Sequence, residues 1–267
     1  MKGLDLRLAI PASLAWIATA VVIGVPHGAI AGAVALWVGA GVLCALVITR
    51  VLPARRGGWL PTAAVSDALD KLGLPGSAHG IAAIYPGARL IGRAFTIGYA
   101  PVSPIAPGTV GDYIDDVAPG SVVVLDNQAR TDCTVWGDIL TCVAHQKGVA
   151  GTVISGVCRD TARAMDLRYP IYSVGRFMRT GKERVEVVTT GAPVNIGGVQ
   201  VRAGDILIGD DDGIVIVPAE RAEEVARVAR SISDIEDRIL EAALAGGSLR
   251  EARKQFGYHG LQTKAKA

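Results

Sequence analysis

The first stretch with a distinct pattern of hydrophobic and polar positions is residues 8–49, which contain no Lys, Arg, Asp or Glu. A membrane-spanning helix needs about 20 apolar residues, so this stretch is long enough for two. Pro26-His27-Gly28 would form the turn, which carries no Lys or Arg, whereas Lys2, Arg7 and Arg50 flank the two segments. The positive-inside rule then places both ends in the cytoplasm. We therefore expect a transmembrane helical hairpin, a multi-pass membrane location and a cytoplasmic domain after it.

The alternative for the same stretch is a signal peptide. Residues 8–25 would be its apolar region, and Ala29-Ile30-Ala31 would be a small-residue cleavage site. The second apolar segment would remain as a span in that case. Both interpretations predict that the chain from Trp59 onward is cytoplasmic.

From residue 62 the pattern changes to alternating helices and short apolar strands. Thr62 can cap a helix that ends at Gly73, with Val65 and Leu69 on one face. Runs rich in β-branched residues, bounded by Pro and Gly, predict strands; they lie at 90–97, 121–125, 151–155 and 171–174. The order predicts an α/β fold.

The last third combines glycine turns with an amphipathic helix. Residues 192–218 predict three short strands, and apolar residues at helical spacing after Pro218 predict a long helix that ends near Gly246. Ser248 and Glu251 suit a capping box for a final short helix. We divide the chain into residues 1–58 (two-helix transmembrane anchor and linker), 59–247 (main α/β domain) and 248–267 (short C-terminal helix and tail).

Charge and cysteine content exclude several classes of protein. The 27 basic and 25 acidic residues leave a net charge of only +2, which gives no electrostatic footprint for nucleic acid. The four cysteines have no paired spacing that would indicate a zinc site or a disulfide framework. Cys158 has no evident neighbouring base, so we do not assign it as a nucleophile.

The stretch WGDILTCVAHQKGVAGTVISGVCRD, residues 136–160, contains the candidate chemistry. A helix of about ten residues is about 15 Å long, and a strand of about five residues running back is about 17 Å long. Asp138, before the helix, should therefore lie at the same sheet edge as Arg159 and Asp160, which follow the strand.

That edge would suit a small carboxylate beside a metal. The free N–H groups of Ile139 and Leu140 at the helix start can bind an anion, and Arg159 can bind a carboxylate through two hydrogen bonds. Asp160 offers oxygen ligands suited to Mg²⁺ or Mn²⁺, and Asp138 can orient Arg159 or bound water. In the alternative interpretation, Asp138 only caps a helix and Arg159-Asp160 is an ordinary surface pair.

The spacing of an Asp, twenty residues and an Arg-Asp pair resembles the signature of the class II pyruvate aldolases. These are typified by 4-hydroxy-4-methyl-2-oxoglutarate aldolase and belong to the family that also includes RraA, a regulator of RNase E. Further matching segments are TAAVSDALDKLG, PGARLIGRAFTI, KGVAGTVISGVCRD, VNIGGVQVRAGD and IGDDDGIVIVP, in the family's order. The resemblance covers roughly residues 60–245.

The resemblance implies a layered α/β/β/α sandwich that assembles as a trimer or a dimer of trimers, with the site between subunits. Arg159 would bind the pyruvyl carboxylate with the backbone of residues 138–140, and Asp160 would hold Mg²⁺ or Mn²⁺ largely through water. A carboxylate on a neighbouring subunit's long helix would organise the metal-bound water, and we favour Glu236 for this role. Asp67 on the first helix is another candidate.

The resulting hypothesis is a metal-dependent aldolase that cleaves a 4-hydroxy-2-oxo acid to pyruvate, with oxaloacetate decarboxylation as a side activity. The alternative is a non-catalytic RraA-like protein that regulates an RNA-degrading enzyme, because such relatives can keep Asp138, Arg159 and Asp160. A third hypothesis, methyl transfer to a membrane quinone, lacks a glycine-rich nucleotide loop after the first strand.

Overall fold

The computed structural model describes residues 59–263. Five helices lie in this part of the chain: α1 (Thr62–Leu72), α2 (Asp138–Gln146), α3 (Thr161–Asp166), α4 (Ala222–Leu244) and α5 (Leu249–Gln255). The strands are β1 (Ser77–Ala78), β2 (Ala82–Ala83), β3 (Leu90–Pro101), β4 (Ser121–Thr134), β5 (Gly151–Cys158), β6 (Ile171–Arg176), β7 (Val185–Thr190), β8 (Val194–Ile196), β9 (Val199–Val201), β10 (Ile206–Asp210) and β11 (Gly213–Val217).

Nine of these strands form one mixed sheet. Its order is β1-β11-β10-β3-β4-β5-β6-β2, and β7 pairs with the C-terminal half of β3. The four central strands β3, β4, β5 and β6 are parallel, and the outer strands join them in antiparallel pairs. Strands β8 and β9 form a separate two-stranded sheet. The α/β class predicted from the sequence is confirmed.

The central strands are apolar on both faces because both faces of the sheet are covered. In β4, Val123 and Leu125 pack into the core that includes Ala144 of α2 and Ala164 of α3. The alternate residues of β4, Val122 and Val124, point to the other face and pack with the side chains of the β8–β9 hairpin. Every residue of β5 is buried.

Two local predictions differ from the structure in detail. Residues 192–218 contain four strands rather than three, because Gly197 and Gly198 have φ values of 57° and 86° and form a separate turn between β8 and β9. Thr62 does not cap α1, whose N-cap is Pro61. The Thr62 hydroxyl instead donates to Asp210 at 2.6 Å, which ties the start of α1 to the end of β10.

The predicted transmembrane hairpin at residues 8–49 lies outside the described residues. Within residues 59–263, no helix combines the length and the apolar composition that crossing a membrane requires. Even α4, with 23 residues, carries charged side chains such as Glu223, Arg230 and Glu241 along its length, and desolvating them would be costly. We therefore correct the fold assignment to the α/β domain of residues 59–263, and the predicted multi-pass location and membrane attachment are withdrawn.

Candidate active site

The loop that joins β4 to α2 is held in place by one buried threonine. The Thr134 hydroxyl lies 2.9 Å from the Trp136 carbonyl and 3.0 Å from the Val157 carbonyl, and it accepts a hydrogen bond from the Trp136 N–H. The Trp136 indole N–H donates to Thr141 on α2 at 2.9 Å. These bonds connect the ends of β4 and β5 to the first turn of α2.

Gly137 brings the two ends of the sequence motif together. The backbone N–H of Arg159 donates to the Trp136 carbonyl at 3.0 Å, so β5 ends beside the start of α2. A Cβ atom on Gly137 would lie 2.8 Å from Oδ2 of Asp160 and 3.3 Å from Nε of Arg159. The predicted meeting of the residue 138 region with Arg159 and Asp160 is therefore observed, although no observation assigns these residues a catalytic role.

Arg159 and Asp160 form an ion pair that stays accessible to a ligand. Nε of Arg159 lies 3.2 Å from Oδ2 of Asp160, and the two side chains are 39% and 43% exposed. Nη1 of Arg159 also lies 3.5 Å from the Met178 carbonyl. Asp160 has a φ of 55°, a left-handed conformation that is uncommon for a non-glycine residue. This conformation places the carboxylate beside Gly137.

A pocket of about 390 Å³ opens beside this pair. Its walls come from the end of β4 with the start of α2, from Arg159, from Thr180 and from the segment around the 3₁₀ helix Asp112–Asp116. The lining residues are Val110, Gly111, Asp112, Ile114, Asp115, Thr134, Val135, Trp136, Gly137, Asp138, Ile139, Leu140, Arg159 and Thr180. Of the predicted site residues, the pocket contains Asp138, Ile139, Leu140 and Arg159.

The first turn of α2 gives one wall of the pocket anion-binding character. Its N-cap is Gly137, and no side chain caps the helix. The first N–H groups of a helix have no partner within the helix and carry partial positive charge. Ile139 in this turn is 76% exposed, so the turn lies at the surface of the protein.

The donors at this edge fit a hard cation held mainly through water. Among residues 59–263, no cluster of three or more His, Cys, Asp or Glu side chains could hold a metal ion. Mg²⁺ usually keeps several waters and binds only one or two carboxylates, and the exposed carboxylate of Asp160 is compatible with that mode. Zn²⁺ fits less well because it prefers His and Cys ligands, and burial raises the pKa of the neighbouring Cys158 thiol.

The structure places Glu236 and Asp67 together, and neither lines the pocket of the same chain. Glu236 lies on α4, which packs against α1. Partial burial raises the pKa of Glu236, and the nearby carboxylates of Asp67 and Asp237 raise it further. Asp67 accepts a hydrogen bond from the Gln262 side-chain amide at 2.8 Å. The role predicted for Glu236 therefore requires a neighbouring subunit.

Sequence reasoning missed the acidic wall of the pocket. Asp112 and Asp115 lie in the 3₁₀ helix between β3 and β4 and line the pocket. The available signal was the segment GDYIDD, which has three acidic residues within five positions. No helical or strand period distinguishes such a short segment from an ordinary solvent-exposed loop, so its position depended on the folded sheet.

The fold and this pocket define an α/β protein with a candidate small-molecule site at the carboxyl edge of its parallel strands. The family model described as RraA-like, Aldolase/RraA, matches residues 62–216. The chain belongs to the RraA-like family.

Two curated relatives differ in how much of their length the chain covers. Protein DlpA of Legionella pneumophila is 38% identical over 199 residues, which are 74% of this chain but only 32% of that protein. A Halalkalibacterium halodurans protein named "Putative 4-hydroxy-4-methyl-2-oxoglutarate aldolase" is 31% identical, over 70% of this chain and 85% of its own length.

Solved structures support the same family. An uncharacterized protein from Pseudomonas syringae pv. tomato is 44% identical with a TM-score of 0.68, over 73% of this chain and 92% of its own. RraAS2 of Streptomyces coelicolor, described as an unusual member of the RNase ES inhibitor RraA protein family, is 30% identical. Its TM-score is 0.59, over 66% of this chain and 88% of its own.

Proposed function

We propose that this protein is a divalent-metal-dependent aldolase that cleaves a 4-hydroxy-2-oxo acid and releases pyruvate. The observation that carries the proposal is Arg159 in a pocket wall, 3.2 Å from the Asp160 carboxylate and next to the uncapped start of α2. The family and the name of the H. halodurans relative support this class of reaction. That name also makes 4-hydroxy-4-methyl-2-oxoglutarate the first substrate to test.

In this proposal Arg159 holds the carboxylate of the 2-oxo acid through two charge-assisted hydrogen bonds. The N–H groups of Ile139 and Leu140 donate to the same end of the substrate, and Asp138 orients Arg159 or a water molecule. Asp160 would hold Mg²⁺ or Mn²⁺. The metal supplies an electrophile that stabilises negative charge on the 2-oxo oxygen when the bond between C3 and C4 breaks.

Cleavage also requires removal of the proton from the 4-hydroxyl group and delivery of a proton to C3. We propose that Glu236 of a neighbouring subunit accepts the hydroxyl proton through an ordered water, with Asp67 as the second candidate. The raised pKa of Glu236 favours proton exchange near neutral pH more than that of an ordinary glutamate. The protein would then act as a homo-oligomer, a trimer or hexamer.

The test is an assay of pyruvate release with added Mg²⁺, with Mn²⁺ and with a chelator. We expect metal-dependent turnover, and we expect Arg159→Ala to lower kcat/KM about 10- to 100-fold, because a charged hydrogen-bonding partner is lost. Asp160→Ala should abolish the metal dependence together with the activity. Oxaloacetate should lose CO₂ slowly in the same assay.

Arg163→Ala is the matched control, because Arg163 is an exposed arginine on α3 that does not line the pocket. It should retain the activity. If no 4-hydroxy-2-oxo acid and no oxaloacetate yield pyruvate with either metal, the aldolase proposal is wrong.

A second candidate function is regulation of an RNA-degrading enzyme, favoured by the likeness to RraAS2. The test is binding of the purified protein to an RNase E-type endoribonuclease and inhibition of its RNA cleavage. Arg159→Ala separates the two functions, since loss of a substrate-binding side chain inside the pocket should leave binding to a large protein partner intact. Inhibition without any pyruvate release would favour the regulator.

A further inference from the structure

Negative charges outnumber positive charges among the side chains that line the pocket. They comprise three carboxylates, on Asp112, Asp115 and Asp138, and one guanidinium, on Arg159. The guanidinium is itself partly neutralised by Asp160 at 3.2 Å. In the proposed aldolase, Asp160 and its divalent cation add to this balance: four carboxylates face one positive charge from Arg159 and two from the metal, which leaves a net charge of −1. One anionic group can bind at Arg159, whereas a second would still lie among carboxylates of the same sign.

Two other cations are bound to backbone carbonyls of residues that line the pocket. Nζ of Lys147 lies 2.6 Å from the Asp115 carbonyl, and Nη1 of Arg184 lies 3.3 Å from the Thr180 carbonyl. Neither residue lines the pocket. Within residues 59–263 of one chain, no second cation is therefore available in the pocket lining to pair with a second carboxylate of a substrate.

The acidic wall is held firmly by the residues between its two aspartates. Tyr113 and Ile114 are each 7% exposed and belong to the core, so they anchor the 3₁₀ helix. Next to it, a Cβ atom on Gly111 would lie 3.2 Å from the Leu140 side chain of α2. This close packing leaves Asp112 and Asp115 on the exposed side of the segment, where they reach the pocket.

We propose that the preferred substrates are 4-hydroxy-2-oxo acids with a single carboxylate, whose distal part beyond C4 is uncharged. The carboxylate beside the 2-oxo group binds Arg159, and the distal part lies against the apolar lining and the acidic wall, which accept alkyl and hydroxyl groups. A distal carboxylate is repelled by Asp112 and Asp115. This inference rests on the aldolase function proposed above and names its substrate class.

The experiment compares two substrates that differ only in the distal group. Cleavage of 4-hydroxy-4-methyl-2-oxoglutarate yields two pyruvates, and cleavage of 4-hydroxy-4-methyl-2-oxopentanoate yields pyruvate and acetone. We expect kcat/KM for the monocarboxylate to exceed that for the dicarboxylate by about 10-fold, a modest electrostatic discrimination. In Asp112→Asn and Asp115→Asn, the ratio of the two kcat/KM values should shift several-fold toward the dicarboxylate. Because the same two substrates are compared in variant and wild type, their intrinsic reactivities do not affect this shift.

Asp116→Asn is the matched control, because Asp116 belongs to the same 3₁₀ helix but does not line the pocket. Its ratio should equal that of the wild type. The inference is overturned if the wild type prefers the dicarboxylate, if Asp112→Asn and Asp115→Asn leave the ratio unchanged, or if Asp116→Asn shifts the ratio equally. In those outcomes pyruvate is still released, so the aldolase proposal survives. If neither substrate yields pyruvate, both the aldolase proposal and the inference about its substrate class are wrong.

Discussion

At the scale of single residues, the candidate site depends on the absence of a side chain at Gly137. The backbone there approaches the Arg159–Asp160 pair so closely that a Cβ atom would lie 2.8 Å from a carboxylate oxygen of Asp160. Its φ of −141° is accessible to any residue. Close approach, rather than backbone conformation, is therefore the reason for glycine at this position.

We expect Gly137→Ala to displace the ion pair and to lower kcat/KM for pyruvate release about 10- to 100-fold, because small misplacements of binding groups weaken catalysis strongly. Steady-state kinetics and a thermal melt measure the two effects. Gly260→Ala is the control, because nothing lies within 4 Å of a Cβ atom at Gly260. An active Gly137→Ala protein with an unchanged KM would contradict this explanation.

At the scale of elements, β4, α2 and β5 form a parallel crossover whose two strand ends are joined by Thr134. The strands pair in register from Val122 with Gly151 to Asp126 with Ser155. The pairing then becomes irregular, and the chain at Gln128 and Ala129 adopts positive φ values. Where the regular pairing of the strands ends, the Thr134 hydroxyl supplies the hydrogen bonds that connect the loop before α2 to the end of β5.

We expect Thr134→Val to lower the free energy of unfolding by about 1–3 kcal/mol, because it leaves buried polar groups without a partner. Urea unfolding followed by tryptophan fluorescence measures this loss, and KM should rise because Gly137 and Arg159 are less well positioned. Thr134→Ser keeps the hydroxyl and should recover most of both properties. An undamaged Thr134→Val protein, or equal damage from Val and Ser, would contradict a specific role for the hydroxyl.

At the scale of the whole molecule, the two parts of the proposed site, the pocket and the carboxylate of Glu236, lie in different places on one chain. Arg159 lies in the pocket, whereas Glu236 lies with Asp67 where α4 packs on α1. Symmetric oligomers can bring such distant surfaces together across an interface. This separation is the reason that the proposed mechanism requires a neighbouring subunit.

Co-expression of Arg159→Ala and Glu236→Gln chains tests that requirement. If each site takes Arg159 from one subunit and Glu236 from the next, random assembly leaves about one site in four with both side chains, since each is present with a chance of about one half. We expect the mixture to regain about a quarter of the wild-type rate of pyruvate release. A mixture no more active than either variant alone would place both residues in one subunit's site or exclude Glu236.

Local patterns in the sequence determined the elements. Helical periodicity and glycine stops placed α1 and α4, and β-branched runs placed the central strands, because these signals act over a few neighbouring residues. The lengths of α2 and β5 also predicted that Asp138 returns to Arg159 and Asp160, since a helix and a returning strand of similar length end at one edge.

Only the tertiary structure decided which other residues line that edge. Asp112 and Asp115 reach the pocket through the packing of a short 3₁₀ segment against α2, and Thr62 binds Asp210 across 148 positions of sequence. Contacts between residues so far apart depend on how the strands pair and twist, and no local period encodes them. The apolar stretch at residues 8–49 had suggested a membrane hairpin on composition alone. The α/β fold of residues 59–263 is stabilised by the burial of both faces of its central sheet, which only the tertiary structure shows.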